Sequence, residues 1–229
     1  MSFVLEARRP GYYERKIKSM NQPLNFDEDF KGFLQNMCQV ASSYLDGDRR
    51  RKFEAFVPSF SAKYARYMQS KCGRDVLCHN DYRVNNILVK EEEGDIKDVI
   101  AIDYQLVYFG CPILDFMYLI FPSTDREFRK THLTHLKKTY YTTLRTFLDR
   151  FKLDASRLYP RNEFETHFKE RLDYGLIVTV VLLPLLMGND QEAPDIVKEP
   201  MSGINFSISN KYKERIIGVV DEFIEYGLL

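Results

Sequence analysis

The sequence has no tryptophan, no charge excess and no apolar run long enough to cross a membrane. Lys plus Arg and Asp plus Glu each number 33, a formal net charge of zero. No basic surplus is available to neutralise a phosphate backbone, so nucleic-acid binding is not expected. The longest apolar stretch, Leu176 to Met187, is interrupted by Thr179 and Pro184 and falls short of the roughly 18 residues of a membrane span; it reads as a buried helix. The N-terminus, MSFVLEARRPGYY, is charged from Glu6 onward and lacks the apolar core of a signal peptide, so a cytoplasmic protein without membrane contact is expected. Glycine is scarce as well. The 11 glycines include no G-x-G pair, which excludes a glycine-rich phosphate loop of any class.

Cysteine is equally sparse. Cys38, Cys72, Cys78 and Cys111 fit neither a disulfide framework nor a C-x-x-C metal spacing. Cys78 beside His79 offers half of a zinc site, but no second ligand pair follows, so the thiols read as small, unreactive hydrophobes.

What is present is enough for a folded domain: 229 residues, 45% of them hydrophobic, with 17 Phe and 15 Tyr. Phe26, Phe30, Phe33, Met37, Ala41, Tyr44 and Leu45 recur at helical spacing, as do Phe53, Phe56, Val57, Phe60, Tyr64, Tyr67 and Met68. Asp27 suits the start of the first helix, Gly73 the end of the second, and Asp46-Gly47-Asp48 the turn between them. Three short apolar runs follow: 75–78, 87–90 and 99–103. The last two are separated by Glu91-Glu92-Glu93-Gly94-Asp95, and they predict a β-hairpin. Helical spacing resumes from Leu114, through Leu133 to Phe151, then over one long segment from Glu163 to Met187 that Pro184 should kink or end. Residues 188–209 read as a surface excursion and Tyr212 to Tyr226 as a last helix closed by Gly227. No linker or internal repeat divides the chain, so one unit over 1–229 is expected.

One segment departs from this pattern. His79-Asn80-Asp81-Tyr82-Arg83-Val84-Asn85-Asn86 has the spacing H-x-D-x-x-x-x-N between two strands, and the hairpin then ends in Ile102-Asp103-Tyr104-Gln105. In phosphoryl transfer, an aspartate in such a loop accepts the substrate hydroxyl proton, while an Asn and a second Asp bind Mg²⁺ on the nucleotide phosphates. Asn86 enters one hairpin strand and Asp103 leaves the other, so both belong to the same end. His79, taken alone, reads as a hydrogen-bonded support residue.

These strings, together with Gly110-Cys111-Pro112-Ile113-Leu114-Asp115-Phe116-Met117-Tyr118, resemble the choline kinase and aminoglycoside phosphotransferase superfamily, most closely its ecdysteroid kinase-like branch, also called CHK kinase-like. The corresponding segments there read approximately H-G-D-x-W-x-N-N, I-D-F-Q and G-S-P-x-x-D-L-x-Y. The resemblance continues through Tyr174-Gly175-Leu176, Leu183-Pro184, Glu192-Ala193-Pro194-Asp195 and Glu225-Tyr226-Gly227-Leu228. It implies an α+β, protein-kinase-like fold with a mainly helical C-terminal lobe and a small catalytic hairpin near 75–105. It implies Asp81 as catalytic base, Asn86 and Asp103 as metal ligands, and His79, Gln105 and Asp115 as supports. ATP and Mg²⁺ are the implied cofactors, and a small-molecule alcohol is the implied substrate. Two positions depart from the branch. Asn80 replaces glycine and must accept that glycine's backbone angle, and Arg83 replaces the usual Trp; neither is expected to touch an essential group.

The larger departure concerns the nucleotide-covering lobe. Five strands and a helix would need roughly 36 residues, and only 25 precede Phe26. The chain therefore reads as the C-terminal lobe alone, truncated, with its nucleotide-binding residues unknown and no activity expected from this polypeptide by itself; a face left bare of that lobe should be apolar. Two functions stand side by side: an ATP-dependent small-molecule phosphotransferase, and a catalytically inactive fragment serving as a binding or regulatory module. Tyr118, Phe121, Tyr140 and Leu176 are candidates for the acceptor pocket and read equally as core.

Overall fold

In the computed structural model, which describes residues 1–20, 28–69, 71–187 and 209–229, the helical spacings become helices and the short apolar runs become strands. Two helices, α1 (Ser2–Arg8) and α2 (Tyr12–Met20), precede the first one that periodicity reveals. At 7 and 9 residues they are too short to display a repeating face. The next pair is α3 (Glu28–Ser43) and α4 (Gly47–Gln69), which bury Phe33, Met37 and Ala41 against Phe53, Phe56 and Phe60 within one hydrophobic cluster. Phe26 and the cap expected at Asp27 lie outside the described residues.

Strand β1 (Val76–Cys78) pairs antiparallel with β4 (Tyr108–Gly110), placing Val76 opposite Gly110 and Cys78 opposite Tyr108. Pattern alone did not suggest β4, because three residues are too few to show alternation. The hairpin is β2 (Ile87–Glu92) with β3 (Asp95–Ala101), closed by Glu93 and Gly94 at φ of 56° and 81°. Positive φ at both turn positions is the type I′ geometry whose twist matches that of the flanking strands. Leu88, Val89, Ile96, Val99 and Ile100 on this hairpin are each more than half exposed. A two-stranded ribbon with apolar side chains on both faces and, among the described residues, no layer over it is unusual.

Helices α5 (Pro112–Ser123), α6 (Arg126–Asp149), α7 (Ala155–Leu158), α8 (Arg161–Glu170), α9 (Leu172–Met187) and α10 (Asn210–Glu225) complete the chain. The single segment expected over 163–187 is two helices: Arg171, at φ −113° and ψ 13°, breaks it. Pro184 does not end α9, which runs on to Met187 and is buried from Asp173 to Pro184. Gly175 lets α9 lie directly on α5, since a Cβ there would come within 2.7 Å of the Phe121 ring. Arg129 of α6 and Glu222 of α10 form a fully buried ion pair at 2.6 Å. Gly227 follows α10 at φ 69°, as its position after the helix predicts. The expected excursion over 188–208, with Glu192 and Asp195, lies outside the described residues. Among those described, no helix is long and apolar enough to cross a membrane.

Candidate active site

Residues 79–86 form the loop between β1 and the hairpin, and the first turn of α5 holds its start. The Asp115 carboxylate accepts the backbone N–H groups of His79 at 2.7 Å and of Asn80 at 2.9 Å. That grip requires the loop to turn sharply, and Asn80 does so at φ 64°, a left-handed angle that Asn tolerates better than any branched residue. Burial raises the Asp115 carboxyl above its ordinary value, while the two N–H groups and then His79 draw it back down.

Asp81 is 6% exposed, and its side chain is engaged at both oxygens. Asn86 Nδ2 donates to Oδ2 at 2.8 Å and to the Asp81 backbone carbonyl at 2.9 Å, and the Tyr118 hydroxyl donates to Oδ1 at 3.0 Å. Burial first and the Asp81 charge next push the Tyr118 phenol well above its ordinary value, so it keeps the proton it donates. Arg83 Nε also lies 3.2 Å from Oδ1, an ion-pair contact without hydrogen-bond alignment. The expectation that Arg83 touches no essential group is therefore corrected. Tyr118 stands one helical turn after Asp115, so its approach to the loop was available in the spacing; nothing local indicated that Arg83 would fold back.

Asp103 stands apart from this network. It is exposed, at φ 64°, and its Oδ2 accepts from Gln105 Nε2 at 3.3 Å. What brings it near is backbone: the Ile102 N–H donates to the Asn86 carbonyl at 2.9 Å, at the foot of the hairpin. With Asn86 Nδ2 committed to Asp81, its Oδ1 remains as an acceptor. Amide and carboxylate oxygens such as these are the ligand type that a hard divalent cation takes.

A cavity of about 600 Å³ adjoins the loop, walled by His79, Tyr82, Tyr104, Asp115, Phe116 and Tyr140 among others, but Asp81 does not line it. Of the four acceptor candidates, Tyr140 reaches this cavity and Tyr118 bonds Asp81, while Phe121 and Leu176 are wholly buried core.

The model of the ecdysteroid kinase-like family matches residues 1–153, a stretch that contains the whole loop, the hairpin and Asp115. No curated protein and no solved structure matches the chain.

Proposed function

The chain belongs to the ecdysteroid kinase-like family, and on that premise we propose that it is a phosphotransferase moving the γ-phosphoryl group of Mg²⁺-ATP to the hydroxyl of a small molecule. The observation that carries the reading is the Asn86 amide, which spans the Asp81 carbonyl and carboxylate in one loop anchored by Asp115. Asp81 is the group that takes the acceptor's hydroxyl proton, and Asn86 and Tyr118 fix the direction in which its carboxylate points. Asn86 Oδ1 and Asp103 would hold Mg²⁺, which when bound offsets the charge on the phosphoryl oxygens. Gln105 steadies Asp103, and His79 joins the loop to the hairpin end. Positioning and electrostatic stabilisation supply nearly all the catalysis in such transfers, so a rigid loop is what the chemistry asks of the chain.

A second reading, a binding module without turnover, is favoured by Arg83, whose Nε lies 3.2 Å from Asp81 Oδ1 and crowds the oxygen that an acceptor hydroxyl would approach. Transfer of γ-labelled phosphate from Mg²⁺-ATP to a panel of small alcohols separates the two. With a nucleotide-covering lobe supplied, since no activity is expected from this polypeptide by itself, the first reading expects transfer that Asp81→Asn lowers by roughly 10² to 10⁴ with nucleotide binding retained. Mg²⁺-ATP binding without transfer even when that lobe is supplied favours the second. Transfer unaffected by Asp81→Asn removes Asp81 from the mechanism.

A further inference from the structure

Three side chains from separate elements meet where the sequence shows no metal motif. Cys72 lies in the loop between α4 and β1, Cys111 directly precedes α5, and His167 sits on α8; their two sulfurs and an imidazole nitrogen all lie within 4.8 Å of one another. The arrangement is braced on several sides. The Asp75 carboxylate accepts the N–H groups of Cys72 at 3.1 Å and Gly73 at 3.3 Å. Arg74 grips Glu163 through two bonds of 2.6 and 2.8 Å, which fastens the Cys72 loop to α8 one turn before His167. The pairing of Val76 with Gly110 brings Cys111 alongside that loop. The Tyr159 hydroxyl lies 3.2 Å from His167 Nδ1 and orients the ring.

We propose that Cys72, Cys111 and His167 form a binding site for one thiophilic d¹⁰ cation of the zinc class, independent of the site around Asp81. Sulfur and imidazole select such an ion over Mg²⁺, which prefers the oxygens of the other site. Two thiolates and a neutral imidazole exactly offset a divalent charge, and neutrality is what burial demands: Cys111 is 1% and His167 8% exposed. Cys72, only partly buried, leaves a way in and room for water as a fourth ligand. Arg171 is the cation that acts on the pair, and Glu170 takes up one of its nitrogens at 3.1 Å. A bound ion would tie the loop entering β1 to the helices that flank it.

The test is titration of the chelator-treated, reduced 229-residue chain with Co²⁺ and then Zn²⁺. We expect uptake of one Co²⁺ per chain with a sulfur-to-cobalt charge-transfer band, its displacement by Zn²⁺, and a higher Tm with zinc. Cys72→Ser, at the most accessible ligand, should weaken zinc binding by more than about 100-fold, beyond the loss caused by removing a merely orienting neighbour. Tyr159→Phe should weaken it by about 10-fold. A cobalt spectrum without the sulfur band, zinc binding unchanged in Cys72→Ser, or a Cys72–Cys111 disulfide formed in air by a chain that takes up no zinc when reduced would each overturn the proposal. Should Cys72→Ser fail to fold, the cobalt spectrum of the unaltered chain decides.

Discussion

Nε2 of His79 lies 2.9 Å from the carbonyl oxygen of Ile102, while Nδ1 of the same ring accepts the Asp81 N–H at 3.3 Å. With Nδ1 accepting, the network assigns the neutral ring whose proton sits on Nε2 and is donated to Ile102. One imidazole thus joins the loop of Asp81 to the residue before Asp103, and the Tyr104 ring, with its centroid 4.5 Å away, packs against it. His79→Ala should lower turnover, read with a nucleotide-covering lobe supplied, by about 100-fold, the cost of a loosened site, and stability by roughly 1–3 kcal/mol for the partners left unbonded. Steady-state kinetics and urea midpoints measure both. Wild-type turnover in this variant would deny the ring a positioning role.

Asn80 occupies a left-handed angle, φ 64°, that glycine adopts without strain. Asn80→Gly should leave stability within about 1 kcal/mol of wild type, because glycine adopts that angle freely. Asn80→Val should cost roughly 1–2 kcal/mol from backbone strain. Equal urea midpoints for the two variants would show that the angle is not under selection by sterics.

Asp115 sets a pH dependence whose sign can be worked out. Burial raises its carboxyl above 3.8, so the folded chain binds this proton more tightly than the unfolded chain does. Its contribution to stability is therefore fully present below the unfolded value and is lost as pH rises through the folded one. The stability of wild type relative to Asp115→Asn should accordingly be larger near pH 4 than near pH 7. Denaturant titrations across that range test it, and a difference that grows with pH would mean that the two N–H bonds outweigh burial.

The Arg129–Glu222 pair is a structural lock. Arg129 also donates to the carbonyls of Phe121, at 3.0 Å, and Thr124. Arg129→Ala leaves the Glu222 charge buried without its partner and should cost about 3–5 kcal/mol. The double variant Arg129→Met, Glu222→Leu should recover most of that loss, since paired apolar replacements leave no stranded charge. Failure of the double variant to recover stability would indicate that the bonds to the Phe121 and Thr124 carbonyls, not the ion pair, hold α6 in place.

Much of the secondary structure was legible because it is local. The three- and four-residue spacing of Phe33, Met37 and Ala41, or of Phe53, Phe56 and Phe60, specifies a helix face wherever the chain goes. Glu93-Gly94 between two apolar runs specifies a hairpin turn. The reading failed where segments were short or unpunctuated: α1, α2 and β4 have too few residues for a period, and Lys169-Glu170-Arg171-Leu172-Asp173 holds no glycine or proline to mark the break between α8 and α9.

His79, Asp81, Asn86, Asp103 and Asp115 were legible as candidates in the sequence, because a motif of residue types at set spacings survives without coordinates. Which of them touch was decided by tertiary packing. Asp81 meets Asn86, Tyr118 and Arg83, while the Asp103 carboxylate is bonded to Gln105, because β3 ends at Ala101 and the chain then turns through a left-handed residue. The meeting of Cys72, Cys111 and His167 is further from any local signal. It depends on the pairing of β1 with β4 and on α8 being held against the Cys72 loop by Arg74 and Glu163, contacts between residues far apart in the chain that no period or spacing encodes.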